Sequence, residues 1–151
     1  MTEALGVLSV AAVTLGLAVA WLAWTAIRLD TASPDRLVAE LRLSQVSALV
    51  LVLVAGVYVG AAVANETIPG VGLDIALATG FFVIAALATT SEPSRALMVL
   101  AAAWGAHALV DLGHLAEVLP AAAVPSWYPT ACAIYDVGMA GVCYLPVFRR
   151  T

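Results

Sequence analysis

Residues 104–117, with the sequence WGAHALVDLGHLAE, decide the fold of this chain. Three of their ionisable residues, His107, Asp111 and His114, fall within an arc of about 60° on a helix. The enclosing segment, 96–116, is otherwise almost wholly apolar and is long enough to cross a hydrocarbon layer of about 30 Å. An Asp at the centre of such a segment costs roughly 2.5 to 3.5 kcal/mol on an insertion scale, so it faces protein, water or a metal ion. The stretch therefore predicts a transmembrane helix with a functional site on one face.

The composition extends this interpretation to the whole chain. Of 151 residues, 64% are hydrophobic and 11% charged, and the mean hydropathy is +1.05, values that exclude an ordinary soluble domain. We expect an all-α, polytopic membrane protein in which residues 1–151 form a single transmembrane domain. Its five-helix bundle is predicted from apolar segments at about 5–27, 43–64, 71–89, 96–116 and 128–147. The first segment is longer than the core of a signal peptide, so we expect it to be retained as a transmembrane helix.

Two local patterns concern the second span. The sequence Ser-Pro-Asp at 33–35 has the cap-then-proline pattern of a helix start, and we expect a short surface helix to lead from it into the span. The sequence GVYVG at 56–60 is a small-x-x-x-small pattern that lets another backbone approach closely, in a homo-oligomer or a larger membrane complex. The alternative is that this glycine pair has no consequence.

The arginines indicate the orientation of the bundle. The chain has no lysine, and its six basic residues fall in the first and third predicted loops and at the C-terminus: Arg28, Arg36, Arg42, Arg95, Arg149 and Arg150. The positive-inside rule then places the N-terminus outside and the C-terminus in the cytoplasm. We expect a multi-pass protein of a bacterial or archaeal cell membrane.

In this orientation, the ionisable residues gather in the outer half of the membrane. With a rise of 1.5 Å per residue, Asp111 lies about 22 Å above the inner surface and Asp136 about 12 Å below the outer one, near the level of His107. Asp74 also belongs to the outer end. The inner half has almost no such groups, so we expect the site to lie toward the outside.

The fifth span has a polar stripe of its own. Cys132, Asp136, Met139 and Cys143 follow spacings of four, three and four residues and share one face of a helix. The two cysteines lie roughly 16 Å apart along that helix, so they cannot pair with each other. If this stripe faces the fourth span, imidazole, carboxylate, thiol and thioether groups converge.

Such a set of side chains is suited to a metal ion, because imidazole and carboxylate groups bind Zn, Fe, Mn or Cu. The candidate metal ligands are His107, Asp111, His114 and Asp136, and further candidates for the site are Cys132, Asp74 and Tyr58. In one arrangement, two of the three residues of the fourth span join Asp136 around one ion with an open position. In the others, Asp111 bridges two ions, or an Asp orients a ligating histidine.

Other interpretations of these residues stay open. Buried His and Asp residues also form hydrogen-bonded clusters that only hold helices together. Cys132, Cys143 and Met139 are common as packing residues, and Tyr58 is either a core aromatic or a proton donor to a polar pocket.

The sequence has no nucleotide-binding loop, Ser-His-Asp order, H-E-x-x-H or haem-attachment motif. Haem ligation is disfavoured because His107 and His114 share one face of one helix, and the net charge of −4 argues against nucleic acid. The leading hypothesis is a metal-dependent enzyme acting on a lipid or small hydrophobic substrate from the outer side. Asp111 or Asp136 would be the general base in a hydrolytic reaction, and a redox metal would activate oxygen in an oxidative one.

Two further functions are consistent with the same residues. One is a proton or metal-ion transporter that uses the His/Asp cluster as a relay; the lack of polar groups in the inner half argues against it. The other is an accessory subunit of a membrane complex, in which the cluster is purely structural.

Overall fold

A computed structural model describes the backbone of residues 2–65, 70–120 and 123–149, and the side chains of this part from residue 6 onward. The described chain contains five α-helices and no strand: α1 Thr2–Arg28, α2 Pro34–Ala64, α3 Val71–Thr89, α4 Pro93–Leu115 and α5 Tyr128–Phe148. All five are long and apolar enough to cross a membrane. The prediction of an all-α chain with five candidate spans is confirmed at this level.

Helix α2 differs from the expected surface helix followed by a span, because it is one continuous helix of 31 residues. Pro34 stands at its first turn, and the Ser33 hydroxyl accepts a hydrogen bond from the backbone N–H of Asp35 (3.2 Å). Between Asp35 and Ala55 the sequence contains neither Gly nor Pro, so nothing interrupts the backbone hydrogen bonds. The helix is about 46 Å long and exceeds the thickness of a hydrocarbon layer.

Helix α2 also holds the bundle together, since it contacts each of the other four helices. Many of the fully buried residues where helices meet are small, among them Ala48, Ala55, Ala85 and Ala96. Small side chains let helix backbones approach closely, which is the main source of packing energy when lipid is the solvent. The contact between α4 and α5 is the most extensive in the chain, and this pair carries most of the candidate site.

The bundle has an arginine end, formed by the C-termini of α1, α3 and α5 with the N-termini of α2 and α4. Four arginines lie in or beside these termini and a fifth, Arg42, lies two turns into α2, while Arg150 is outside the described residues. Arg36 is buried there: its Nε donates to Glu40 Oε1 (2.9 Å), and its guanidinium also donates to the carbonyls of Leu29 (3.3 Å) and Pro146 (2.9 Å). One arginine therefore joins the α1–α2 loop, α2 and the C-terminus of α5.

A second polar group in this half was not expected from the sequence. The indole N–H of Trp104 donates to Ser47 Oγ (3.0 Å), which also contacts Cys143 Sγ (3.0 Å). All three side chains are fully buried. Buried polar side chains from α2, α4 and α5 therefore lie on the arginine side of the cluster formed by the His and Asp residues, where almost none were predicted.

The glycine pair at 56–60 makes no close helix contact with other described residues of this chain. A Cβ atom added at Gly56 or Gly60 would meet no atom within 4 Å. Their role in a homo-oligomer therefore stays a prediction.

Candidate metal centre

Four ionisable side chains from two helices converge in the core of the bundle. Helix α4 provides His107 and Asp111, and α5 provides Cys132 and Asp136, each pair four residues apart and so on one helix face. Their exposed fractions are 2%, 0%, 6% and 0% in that order. One potential ligand atom from each side chain lies within 4.8 Å of the others. The group could therefore hold a metal ion.

Hydrogen bonds connect this cluster to α2. Nδ1 of His107 lies 2.7 Å from Asp136 Oδ2 and 3.5 Å from Asp111 Oδ2. On the other side of Asp111, the Tyr58 hydroxyl donates a hydrogen bond to Oδ1. The remaining oxygen, Asp111 Oδ2, is buried and has no hydrogen-bond partner among the described residues. A carboxylate oxygen in this situation is costly unless a cation or a proton donor faces it.

Aromatic rings surround the imidazole and keep it away from bulk solvent. The ring of Phe81 on α3 lies 4.7 Å from that of His107, measured between centroids, and the ring of Tyr58 lies 5.9 Å from it. Tyr128 makes an edge contact with Tyr58 at 5.6 Å. In such a setting, Coulomb interactions are stronger than in water, and unpaired charges are more costly.

His114, which the sequence grouped with the ligands, lies in a neighbouring polar site. Its Nδ1 donates to the carbonyl of Pro120 (2.7 Å), because a carbonyl can only accept. Its Nε2 lies 3.4 Å from Asp74 Oδ1 and has no hydrogen-bond partner in the part of the chain that the structure describes. The other Asp74 oxygen accepts from the backbone N–H of Ala123 (3.3 Å). This pair therefore fastens the loop between α4 and α5 to the start of α3.

Tyr58 lies between the two polar sites. Its ring stacks on that of His114 at 5.9 Å, while its hydroxyl is bonded to Asp111. Beside it is a void of about 10 Å³, close to the volume that a single water needs. Its polar lining consists of Tyr58, Asp74, His107 and His114. The two sites are therefore neighbours, separated by one aromatic ring and a water-sized space.

The backbone at the start of α3 lets the loop come this close. Gly70 has a φ of 98°, a conformation that residues with a side chain rarely adopt. A Cβ atom at this position would also lie only 2.5 Å from Cβ of Pro120, the residue whose carbonyl holds His114. Glycine is required here both for the turn and for the contact.

The spacing of the donor atoms could accommodate a metal ion. Tetrahedral ligands at about 2.0 to 2.3 Å from an ion lie about 3.3 to 3.8 Å apart, between the 2.7 Å separation of His107 and Asp136 and the 4.8 Å limit of the group. Side-chain shifts of about 1 Å would therefore make room for an ion. Two carboxylates and one imidazole around a divalent ion also give a neutral site, which suits a low-dielectric interior.

The structure thus divides the sequence candidates into two groups. His107, Asp111 and Asp136 lie together with Cys132, and Tyr58 touches the group, whereas His114 and Asp74 form the neighbouring pair. Helical periodicity could not separate His114 from His107. The wall residue Phe81 and the carbonyl of Pro120 were missed, and no pattern in the sequence indicates either.

The chain matches no protein-family model, no curated protein and no solved structure. Functional inference therefore rests on the chemistry of the site itself.

Proposed function

We propose that this protein is an intramembrane metalloprotein whose ion is held by His107, Asp111 and Asp136. The observation that carries the proposal is the convergence of buried imidazole, carboxylate and thiol groups within 4.8 Å on two adjacent membrane-type helices. Such groups are expensive in lipid and are retained where they serve a function. The orphaned Asp111 Oδ2 supports the proposal, because a bound cation would supply its missing partner.

Cys132 completes the group without being needed for charge balance. Its Sγ lies 3.8 Å from Asp136 Oδ2. With a divalent ion and two carboxylates the site is already neutral, and a thiolate would add a buried negative charge. We therefore assign Cys132 as a neutral thiol that would not bind the ion, which would leave one coordination position open. Three protein ligands with one open position are typical of catalytic rather than structural zinc sites.

The finer proposal is a metal-dependent enzyme acting on a lipid or small hydrophobic substrate. An ion held by these residues would supply Lewis-acid chemistry, since a metal ion lowers the pKa of a water at its open coordination position or polarises a substrate carbonyl there. Asp136 lies on the Cys132 side of the cluster, and its carboxylate oxygen that does not bind the ion is the candidate base, while Tyr58 fixes the orientation of Asp111. Zinc, which has no redox chemistry, would favour hydrolysis, whereas iron, manganese or copper would also allow oxidative chemistry.

Elemental analysis of the purified protein tests the metal proposal. Wild type should contain close to one equivalent of a transition metal, and His107→Ala and Asp136→Asn should each lose it. The matched controls His114→Ala and Asp74→Asn change buried residues of the same types in the neighbouring site and should keep the metal. Wild-type protein that takes up no metal, even after incubation with Zn²⁺ or Fe²⁺, would refute the proposal.

Transport is the second candidate, and the water-sized void beside Tyr58 favours it. This void and the ring of Tyr58 lie between the cluster and the His114–Asp74 pair, which is nearer the end of the bundle. Toward the arginine end, the buried group of Ser47, Trp104 and Cys143 provides further polar atoms.

Proteoliposomes containing a pH-sensitive or metal-sensitive dye test transport directly. Flux of protons or Zn²⁺ that depends on Asp74 and Asp136 would support a relay. A metal-loaded protein without flux would support the enzyme instead.

We also propose that the N-terminus is outside and the C-terminus in the cytoplasm. The arginine end then faces the cytoplasm, and the His114–Asp74 pair lies near the outer surface. A reporter that works only in the cytoplasm should be active when it is fused after Thr151. Activity there of a reporter that works only outside the cytoplasm would show the opposite orientation.

A further inference from the structure

A cavity of about 170 Å³ lies between α1, α2 and α5, beside the proposed metal centre. Its walls are almost wholly apolar and include Leu8 and Ala12 of α1, Val54 and Val57 of α2, and Ala131 of α5. An apolar cavity of roughly 150 Å³ accommodates a molecule the size of benzene. The cavity is therefore suited to a hydrocarbon group.

The cavity connects the surface of the bundle with the centre. Leu53, which lines it, is 57% exposed, so the cavity reaches the side of the bundle that faces lipid. Cys132 also lines it, and this residue belongs to the proposed centre. A hydrocarbon group that enters the cavity from the side would therefore reach Cys132, on the side of the cluster that is open to a substrate in our proposal.

The polar atoms near the cavity are few and favour a particular orientation of the occupant. Trp127 and Tyr128 line the cavity at the start of α5, where aromatic side chains commonly mark the membrane interface. Tyr135 lines it too, and its buried hydroxyl has no hydrogen-bond partner among the described residues. A lipid whose head group lies near Trp127 would extend its chain into the apolar part.

We propose that the occupant is one hydrocarbon chain of a membrane lipid, which enters laterally between α1, α2 and α5 and lies against Cys132. This inference rests on the proposed function, because it makes the cavity the substrate entrance of the metal centre. The surrounding bilayer supplies hydrocarbon chains at this depth, and the apolar walls give a water-soluble substrate no compensating hydrogen bonds.

Photo-crosslinking in vesicles tests the entrance. The probe is a phosphatidylcholine with a diazirine in its acyl chain, and peptide mass spectrometry locates the adducts. We expect adducts at Ala131 and Cys132 at a level roughly tenfold above that at Val137, which lies on the same helix, is 63% exposed and does not line the cavity. Adducts at Ala131 and Cys132 no more abundant than at Val137 would overturn the inference.

Two variants of α1, each with an alanine replaced by tryptophan, make the test specific. Ala12→Trp places an indole in the cavity and should remove most of the adducts at Cys132. Ala18→Trp introduces the same side chain on an exposed face of α1 away from the cavity and should leave them unchanged. Equal labelling of Cys132 in both variants would contradict the assignment of the entrance.

Metal analysis of the same samples separates this inference from the proposed function. Adducts at Cys132 in a protein that binds no metal would support the lipid site and refute the metal centre. A metal-loaded protein without these adducts would support the metal centre and refute the lipid site.

Discussion

Tyr58 on α2 donates its phenolic hydrogen to Oδ1 of Asp111 on α4, and this bond links the two helices inside the cluster. The same ring stacks on His114, so one side chain touches both polar sites. Since Oδ2 of Asp111 has no hydrogen bond, Tyr58 is the only described hydrogen-bond donor to this carboxylate. The orientation of the proposed ligand therefore depends on a residue that does not bind the ion.

Tyr58→Phe should destabilise the protein by about 1 to 3 kcal/mol, because it leaves a buried carboxylate without its donor. Metal should still bind, since no ligand is lost, but with lower affinity because the carboxylate is less well oriented. Unfolding in mixed micelles and titration with Zn²⁺ measure the two effects. The control is Tyr128→Phe, whose hydroxyl makes only a 3.4 Å bond to the Val54 carbonyl. An equal loss of metal affinity in both variants would contradict the role of Tyr58.

The double variant Cys132→Ala, Cys143→Ala should fold and keep its metal. Both cysteines are free and buried, and charge balance assigns the ion to the imidazole and two carboxylates rather than to a thiolate. Elemental analysis and thermal unfolding of the double variant check this. Loss of the ion would make Cys132 a ligand, and Cys132→Ala alone would then show the same loss.

Gly70→Ala should destabilise the loop contact around His114. The substitution adds a side chain at a φ of 98° and places its Cβ 2.5 Å from Pro120. Gly72→Ala is the matched control, because a Cβ there meets no atom within 4 Å. Hydrogen exchange at residues 116–120 should rise in the first variant and stay unchanged in the second. Equal exchange in both would show that the Pro120 contact does not hold the loop.

Part of the candidate site could be predicted from the sequence because helical geometry is local. A spacing of four residues places His107 beside Asp111, and Cys132 beside Asp136, whatever the rest of the fold does. The hydrophobicity of the chain indicates five spans, since few polar residues can remain in lipid. Together they predict that α4 and α5 carry the polar faces that form the candidate site.

The separation of His114 from the cluster could not be predicted in this way. It depends on the loop after α4, whose Pro120 carbonyl holds the imidazole, and on Asp74 at the start of α3. Both contacts are made by residues distant in sequence or irregular in structure. The group of Ser47, Trp104 and Cys143 was missed for another reason, since these residue types are common packing residues and carry no charge that would mark them.

Arg36→Gln should be strongly destabilising, by about 3 to 5 kcal/mol, because it breaks the buried ion pair between Arg36 and Glu40. The substitution also removes the donors to the carbonyls of Leu29 and Pro146, the second of which lies in the last turn of α5.

Arg42→Gln is the control, since Arg42 is exposed and lies on the same helix. Unfolding in mixed micelles compares the two variants, and elemental analysis of the folded fraction shows whether the metal centre is affected. We expect metal to remain in the Arg36→Gln protein that stays folded, because the described hydrogen bonds and ion pair of Arg36 involve none of the proposed ligands. Similar stability of the two variants would show that the buried ion pair contributes no more than a surface charge.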